Sequence, residues 1–191
     1  FLNVIGLMTG TSMDGIDISL VETNGLELNR INKNYFYEYS DNTKLFLMDV
    51  LKRDLDFNLK RKKLLDDFIT IEHYQALKSL EIVDSSELIG FHGQTIYHNP
   101  KKKISIQLGN PKLLSKLLKK NVVFNFRLQD IKMGGQGAPL APIYHKYIMQ
   151  SSNFELPSCF LNIGGVANLT FWDGKTLLGF DTGPGNALMD D

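Results

Sequence analysis

Apolar and polar positions change period several times along the chain, and the changes mark its elements. Val4 to Met8 is an apolar run. The small polar stretch Thr9-Gly10-Thr11-Ser12-Met13-Asp14-Gly15 interrupts it, and Ile16, Ile18 and Leu20 then alternate with Asp17 and Ser19. Two strand-like runs around a short polar stretch predict a β-hairpin. A third strand follows from about Leu28 to Tyr39, after the turn signal Asn24-Gly25. The period then lengthens. Leu45, Phe46, Met48, Val50 and Leu51 predict a helix capped by Asp41 or Asn42. Leu64, Leu65, Phe68, Ile71, Ala76, Leu77 and Leu80 predict the core stripe of a second helix, from about Lys60 to Leu80. Glu87 to Phe91 reads as a short buried strand ending at His92-Gly93-Gln94-Thr95, and Ile104, Ile106 and Leu108 as another. Pro111 opens a helix through Leu113, Leu114, Leu117 and Leu118, closed by Asn121. Residues 122–126 form a strand that delivers Arg127 and Asp130 at its exit.

The glycine cluster Met133 to Pro139 has the composition of a hinge or a substrate loop. Pro139 and Pro142 open a helix through Tyr144, Tyr147 and Ile148, and Ser151 to Pro157 reads as a linker. Cys159–Ile163, Val166–Trp172 and Thr176–Phe180 are strands, joined by the turns Gly164-Gly165 and Asp173-Gly174. A helix begins after Asp181-Thr182-Gly183-Pro184-Gly185-Asn186. Strand, glycine turn, strand, turn, strand thus occurs twice, at 4–39 and at 159–180. The echo is topological, without a strict period. Two such hairpins facing each other across a cleft would clamp the phosphates of a nucleotide from both sides. The expected fold is α/β with a mixed sheet: one lobe over residues 1–136 and the beginning of a similar second lobe over 137–191.

Composition narrows this only a little. Lys+Arg and Asp+Glu are equal at 21 each, so no global field calls for nucleic acid or an acidic membrane. The runs Lys60-Arg61-Lys62-Lys63 and Lys101-Lys102-Lys103 read as solvated surface. One cysteine, Cys159, excludes an internal disulfide and fits a reducing compartment, and its apolar setting predicts a buried, inert thiol. No stretch approaches the ~20 apolar residues of a membrane span. Phe1 in place of an initiator Met predicts a trimmed or processed start, and a helix just beginning at Asp191 predicts one complete lobe plus the beginning of another, through partial coverage or a true truncation.

The candidate chemistry sits in the punctuation. Gly10 and Gly15 can take positive φ and bring backbone N–H groups to a ligand, and Thr11 and Ser12 add hydroxyls, which suits a phosphate chain. Taken alone, the same turn also serves as an ordinary hairpin loop. It is not a Walker loop, since no Gly-Lys-Ser/Thr follows. Asp181, at a strand end before glycines, can project into a cleft or cap a helix ahead of Pro184. Asp130 and Arg127 can form a salt bridge, or Asp130 can meet sugar hydroxyls. His92 and His98 lack a third ligand at a zinc spacing.

Seven collinear segments carry a resemblance: Gly6 to Asp17, Gly90 to Ile96, Gln107 to Pro111, Phe126 to Asp130, Gly134 to Leu140, Leu161 to Gly165 and Gly179 to Asn186. Together they resemble the anhydro-N-acetylmuramic acid kinase family, of the actin/sugar-kinase/Hsp70-like superfamily. The resemblance implies two RNase H-like lobes around a cleft, ATP and Mg²⁺ as cofactors, and a cytoplasmic role in peptidoglycan recycling. The implied reaction opens the internal ether of 1,6-anhydro-N-acetylmuramic acid with water and phosphorylates the released oxygen, giving N-acetylmuramic acid 6-phosphate. It also implies roles. Asp181 is the catalytic base. Thr9, Gly10, Thr11, Ser12, Met13, Asp14, Gly15 and Ile16 hold ATP from one side, and Asn162, Gly164 and Gly165 from the other. His92, Gln94, Asp130, Gln136 and Asn186 bind the sugar. Superfamily relatives often carry an Asp where this chain has Met8, which leaves Asp14 or Asp17 as candidate metal groups. The partners implied are the amino sugar and ATP, with no nucleic acid and no membrane, and a homodimer is allowed. This segment alone is expected to be inactive. A non-catalytic actin-like nucleotide-binding protein and a kinase for another small sugar are the competing readings.

Overall fold

The computed structural model describes residues 1–10, 12–52 and 59–186. It divides into two compact units, Phe1–Phe126 and Arg127–Asp191. The boundary expected from the sequence lies at Gln136.

Unit 1 is built on a mixed six-stranded sheet, in agreement with the expected α/β class. β1 (Leu2–Thr9), β2 (Gly15–Thr23) and β3 (Leu28–Glu38) form an antiparallel meander. β4 (Leu88–Asn99) lies parallel to β1 and to β6 (Asn121–Phe124), and antiparallel to β5 (Ile104–Leu108). The alternation in β2 comes out as expected: Ile16 and Ile18 are fully buried while Asp17 is exposed. α1 (Asp41–Lys52) and α2 (Leu59–Lys78) cover the sheet, with Leu47, Val50, Leu65, Ile69 and Leu77 buried in the same cluster as Ile5, Ile16, Ile18 and Ile89. Each such side chain stabilises the fold by about 1.5–3 kcal/mol through burial. The rings of Phe46 and Phe68 meet edge-on at 4.8 Å and tie the two helices together.

Several expected details change. The cap of α1 is Ser40, whose hydroxyl accepts from the Thr43 N–H at 3.2 Å, rather than Asp41 or Asn42. The buried line of α2 runs Leu65, Ile69, His73, Leu77, with Ala76 beside it, while Leu64 is 65% exposed. Polar Thr70 and His73 face inward because each bonds back to its own helix: Thr70 Oγ1 donates to the Asp66 carbonyl, and His73 Nδ1 meets the Ile69 carbonyl at 2.8 Å. α3 (Pro111–Leu118) is capped by Asn110 and ends at Lys119 in the left-handed conformation, so Asn121 opens β6 instead of closing the helix. β4 does not stop at Phe91; it continues through His92–Thr95 to Asn99.

In Unit 2, Arg127 and Asp130 lie on α4 (Phe126–Lys132), a short helix absent from the sequence expectation, which had a strand exit there. α5 (Ala141–Ser151) follows the glycine cluster. β7 (Ser158–Ile163), β8 (Val166–Trp172) and β9 (Leu177–Pro184) form a second antiparallel meander, so the echo seen in the sequence exists as two three-strand units. α5 packs on one face of this sheet: His145 Nδ1 meets Thr170 Oγ1 at 2.7 Å and its ring stacks on Phe160 at 4.9 Å. The other face carries exposed Leu161, Ile163, Leu178 and Phe180. Cys159 shares that face and is exposed, not buried as expected, because no described residue covers it. The helix expected after Asn186 lies outside the described residues.

Candidate functional site

Ligands of open α/β sheets bind beyond the carboxyl ends of parallel strands. In Unit 1 those ends are Thr9 of β1, His92–Gln94 of β4 and Asn125 after β6. A cleft of about 340 Å³ opens there, lined by Lys62, His92, Gly93, Gln107, Gly109 and Asn125 among others. Its far wall is held by α2. Asp66 accepts from the Gly109 N–H at 3.1 Å, the Thr70 hydroxyl from the Asn110 N–H at 2.7 Å, and Asp67 from the Asn110 side-chain amide at 2.8 Å. Asp66 also receives the Lys62 ammonium at 2.7 Å.

The register of β4 against β1 breaks at this point. Leu7 faces Phe91, but Thr9 faces Gln94, so β4 carries one extra residue. The bulge turns Gly93 to φ 71°. Bulges re-aim side chains, and here Phe91, His92, Gly93 and Gln94 are all buried in succession, against the period-two rule. His92 is 8% exposed and borders the cleft; its Nδ1 meets the Gly93 carbonyl at 2.5 Å. Gln94 is fully buried. Its amide donates to the Gly10 carbonyl at 2.9 Å, inside the turn between β1 and β2. Behind His92, the ring of His73 stands edge-on to Phe91 at 4.9 Å, and burial lowers its pKa to about 4.

That turn differs from its expected build. Thr9, Met13, Gly15 and Ile16 are buried, and Ser12 and Asp14 are exposed. Thr11 lies outside the described residues. The left-handed position falls at Met13, φ 57°, and neither Gly10 nor Gly15 is used that way. A non-glycine residue there is uncommon and costs backbone strain. The Ser12 hydroxyl donates to Asp14 at 2.8 Å. Partial desolvation, with the Asp14 carboxylate nearby, raises the pKa of Asp17.

In Unit 2, Asp181 is inside β9 and not past its end. It pairs with Asn168 of β8, which pairs with Asn162 of β7, so three polar residues form one cross-strand row. β9 has its own irregularity here: Ala167 faces Gly183 but Asn168 faces Asp181, which leaves Thr182 as the extra residue. Asp181 is exposed, and Asn168 Oδ1 is buried without a partner. Burial lowers the pKa of Arg127, and the Asp181 carboxylate opposes that shift. Gly164 and Gly165 meet the segment after Asp181: Gly185 N donates to the Gly165 carbonyl at 2.9 Å and Asn186 N to the Gly164 carbonyl at 2.8 Å. Arg127 donates to the Gly137 carbonyl and Asp130 accepts from the Gly137 N–H, both at 2.7 Å, so the pair grips the two peptide groups that flank one glycine of the loop. Gln136 beside it is exposed.

The structure thus groups His92, Gln94 and the Thr9–Ile16 turn in Unit 1, and Asp181, Asn162, Gly164, Gly165 and Asn186 in Unit 2. Lys62, Gln107, Asn125 and Asn168 were not among the expected site residues. Asn125 carried a signal: an asparagine leaving a strand tolerates the left-handed conformation it adopts, φ 68°. Asn168 was hidden, because a single Asn in an apolar strand carries no local signature.

The family model described as anhydro-N-acetylmuramic acid kinase matches residues 2–191. The chain belongs to the anhydro-N-acetylmuramic acid kinase family. Among relatives bearing that name, the protein of Pelagibacter ubique is 44% identical over all of this chain and 54% of its own length. That of Rhodopseudomonas palustris is 37% identical over all of the chain and 55% of its own. That of Paramagnetospirillum magneticum is 39% identical over 98% of the chain and 52% of its own. The chain spans about half the length of these curated relatives. The mixed-sheet α/β architecture agrees with the actin-like ATPase type expected for the anhydro-N-acetylmuramic acid kinase family. No helix among the described residues is long and apolar enough to cross a membrane.

Proposed function

We propose that a protein carrying this segment uses ATP to convert 1,6-anhydro-N-acetylmuramic acid to N-acetylmuramic acid 6-phosphate, in the cytoplasm, as a step of peptidoglycan recycling. The observation that carries the reading is the family match across residues 2–191. The placement of the signature residues around two strand irregularities supports it.

In this reading Asp181 takes a proton from water as the water oxygen bonds to the anomeric carbon. The carbon–oxygen bond of the internal ether breaks, and the released oxygen takes the γ-phosphoryl group, with ADP leaving. Phosphoryl transfer then needs alignment and charge neutralisation more than covalent help. Asn162 and Asn168 share a row with Asp181 and orient it. His92 and Gln107 meet sugar hydroxyls in the Unit 1 cleft. The turn from Thr9 to Ile16 is the phosphate-contacting segment of Unit 1, and Gly164 and Gly165 are the phosphate-contacting residues of Unit 2. Asp130 and Arg127 act through the N–H and carbonyl of Gly137, which fixes the loop bearing Gln136. Asp14 and Asp17 are the carboxylates that would hold Mg²⁺, oxygen ligands of the kind that ion takes; burial, with the Asp14 carboxylate nearby, raises the pKa of Asp17. When bound there, the ion would supply charge neutralisation at the phosphates.

The deciding experiment is Asp181→Asn in a protein of the relatives' full length. Turnover should fall by a factor of about 10²–10⁴ or more while ADP binding persists. Near-normal turnover removes Asp181 from the mechanism. A product that gains phosphate without water points to a kinase for a different sugar.

A further inference from the structure

Two side-chain bonds, one buried and one partly buried, cross between the ends of β1 and β4 in opposite directions. Thr9 Oγ1, on β1, donates to the Gly93 carbonyl of β4 at 2.7 Å. Gln94 Nε2, on β4, donates to the Gly10 carbonyl just past β1 at 2.9 Å. Thr9 is 1% exposed and Gln94 is fully buried, so neither side chain is open to a ligand. Each is a tether from one strand to the backbone of the other.

The two carbonyls they hold are not equivalent. Gly10 belongs to the turn, and its carbonyl also accepts from the Met13 N–H at 3.4 Å. Gly93 belongs to the cleft wall, and its carbonyl also meets His92 Nδ1. The crossing therefore joins a phosphate-type turn to a sugar-type cleft through two bonds and no intervening residue. The backbone ladder is interrupted between Leu7 and Thr9 and resumes at the Thr9–Gln94 pair, where the two side-chain bonds reinforce it. Gln94 Oε1 is buried with no partner, so the amide is anchored by its donor alone and keeps an acceptor that a displaced turn N–H can satisfy.

We infer that Thr9 and Gln94 are positioning residues that couple nucleotide binding at the turn to sugar binding at the cleft, and that Gln94 does not itself touch the sugar. The inference rests on the kinase reading of the two sites. Displacing Gly10 towards a bound phosphate pulls on Gln94 and, through Thr9, on the Gly93 carbonyl beside His92. Coupling between two ligands is reciprocal, so the sugar must tighten nucleotide binding by the same factor.

The test uses a protein of the relatives' full length and measures the Kd of ADP with and without saturating 1,6-anhydro-N-acetylmuramic acid. In the unmodified protein the sugar should tighten ADP by about fivefold or more. Thr9→Val and Gln94→Met, which keep bulk and lose the donors, should each bring that ratio to within about twofold of unity, while Thr9→Ser keeps it. A purely structural role would weaken both ligands and leave their ratio alone. Should the two variants misfold, hydrogen exchange on the unmodified protein decides: sugar alone should slow exchange of the Met13 amide. Ligands that bind independently, or variants that fold and retain the ratio, overturn the coupling while leaving the kinase reading intact. Failure of either ligand to bind the unmodified protein removes both.

Discussion

Gly93 carries two constraints at once. Its φ of 71° lies in the left-handed region, and a Cβ there would sit 2.3 Å from the Leu108 carbonyl oxygen of the neighbouring strand. Gly93→Ala should therefore destabilise Unit 1 by about 1–3 kcal/mol or more, read as a lower urea midpoint. It should also perturb the cleft, because His92 and Gln94 flank it. His73 makes a different kind of prediction. Its imidazole is fully buried and neutral, with a pKa of about 4 against an ordinary 6.5. The unfolded chain takes up a proton below pH 6.5 that the folded one refuses, so stability is full above that pH and is lost as the pH falls towards 4. The loss can reach about 3 kcal/mol. Urea midpoints across pH 4–7.5 should show it, and His73→Leu should flatten the slope in that window; an unchanged slope would show that other groups set it.

At the scale of elements, α2 separates what hydropathy reveals from what packing decides. Leu65→Ala or Ile69→Ala should cost about 2–5 kcal/mol, whereas Leu64→Ala should stay within about 0.5 kcal/mol. Equal losses from Leu64 and Leu65 would contradict the burial pattern. The helix itself was legible from its repeating apolar residues. Its orientation was not, because two inward polar side chains satisfy themselves on their own backbone and disguise the buried line as amphipathic noise. The strands of both meanders were legible for a simpler reason: one face of each is apolar, and Gly-containing turns punctuate them. The bulges were not, because a register break depends on the partner strand. Through them, the segments at His92 and Asp181, expected at strand ends, lie inside β4 and β9. α4 escaped for want of length; seven residues give too little period to read. The site residues stood out only as collinear signatures, and their roles as tethers or row-mates needed three dimensions.

Across the whole molecule the apolar core is unevenly shared. The contiguous cluster of buried residues, from Ile5 to Leu114, lies entirely in Unit 1. In Unit 2 the buried apolar side chains among the described residues are Ile131, Pro142, Met149, Ala167 and Trp172, and one sheet face is open. Residues 1–126 expressed alone should unfold cooperatively in urea, and residues 127–191 alone should not. A sharp transition from the second piece would mean its meander is self-sufficient.

The crowding at Gly185 has a consequence for anyone surveying tolerated substitutions. A Cβ there would stand 1.9 Å from the Gly164 oxygen. The constraint is one-sided: a Cβ on Gly164 would meet nothing closer than the Val166 carbonyl oxygen at 3.7 Å, so it is intolerance at 185 that would be mistaken for ligand contact. Alanine at 164 should therefore leave the fold intact, whereas alanine at 185 should force the two backbones apart.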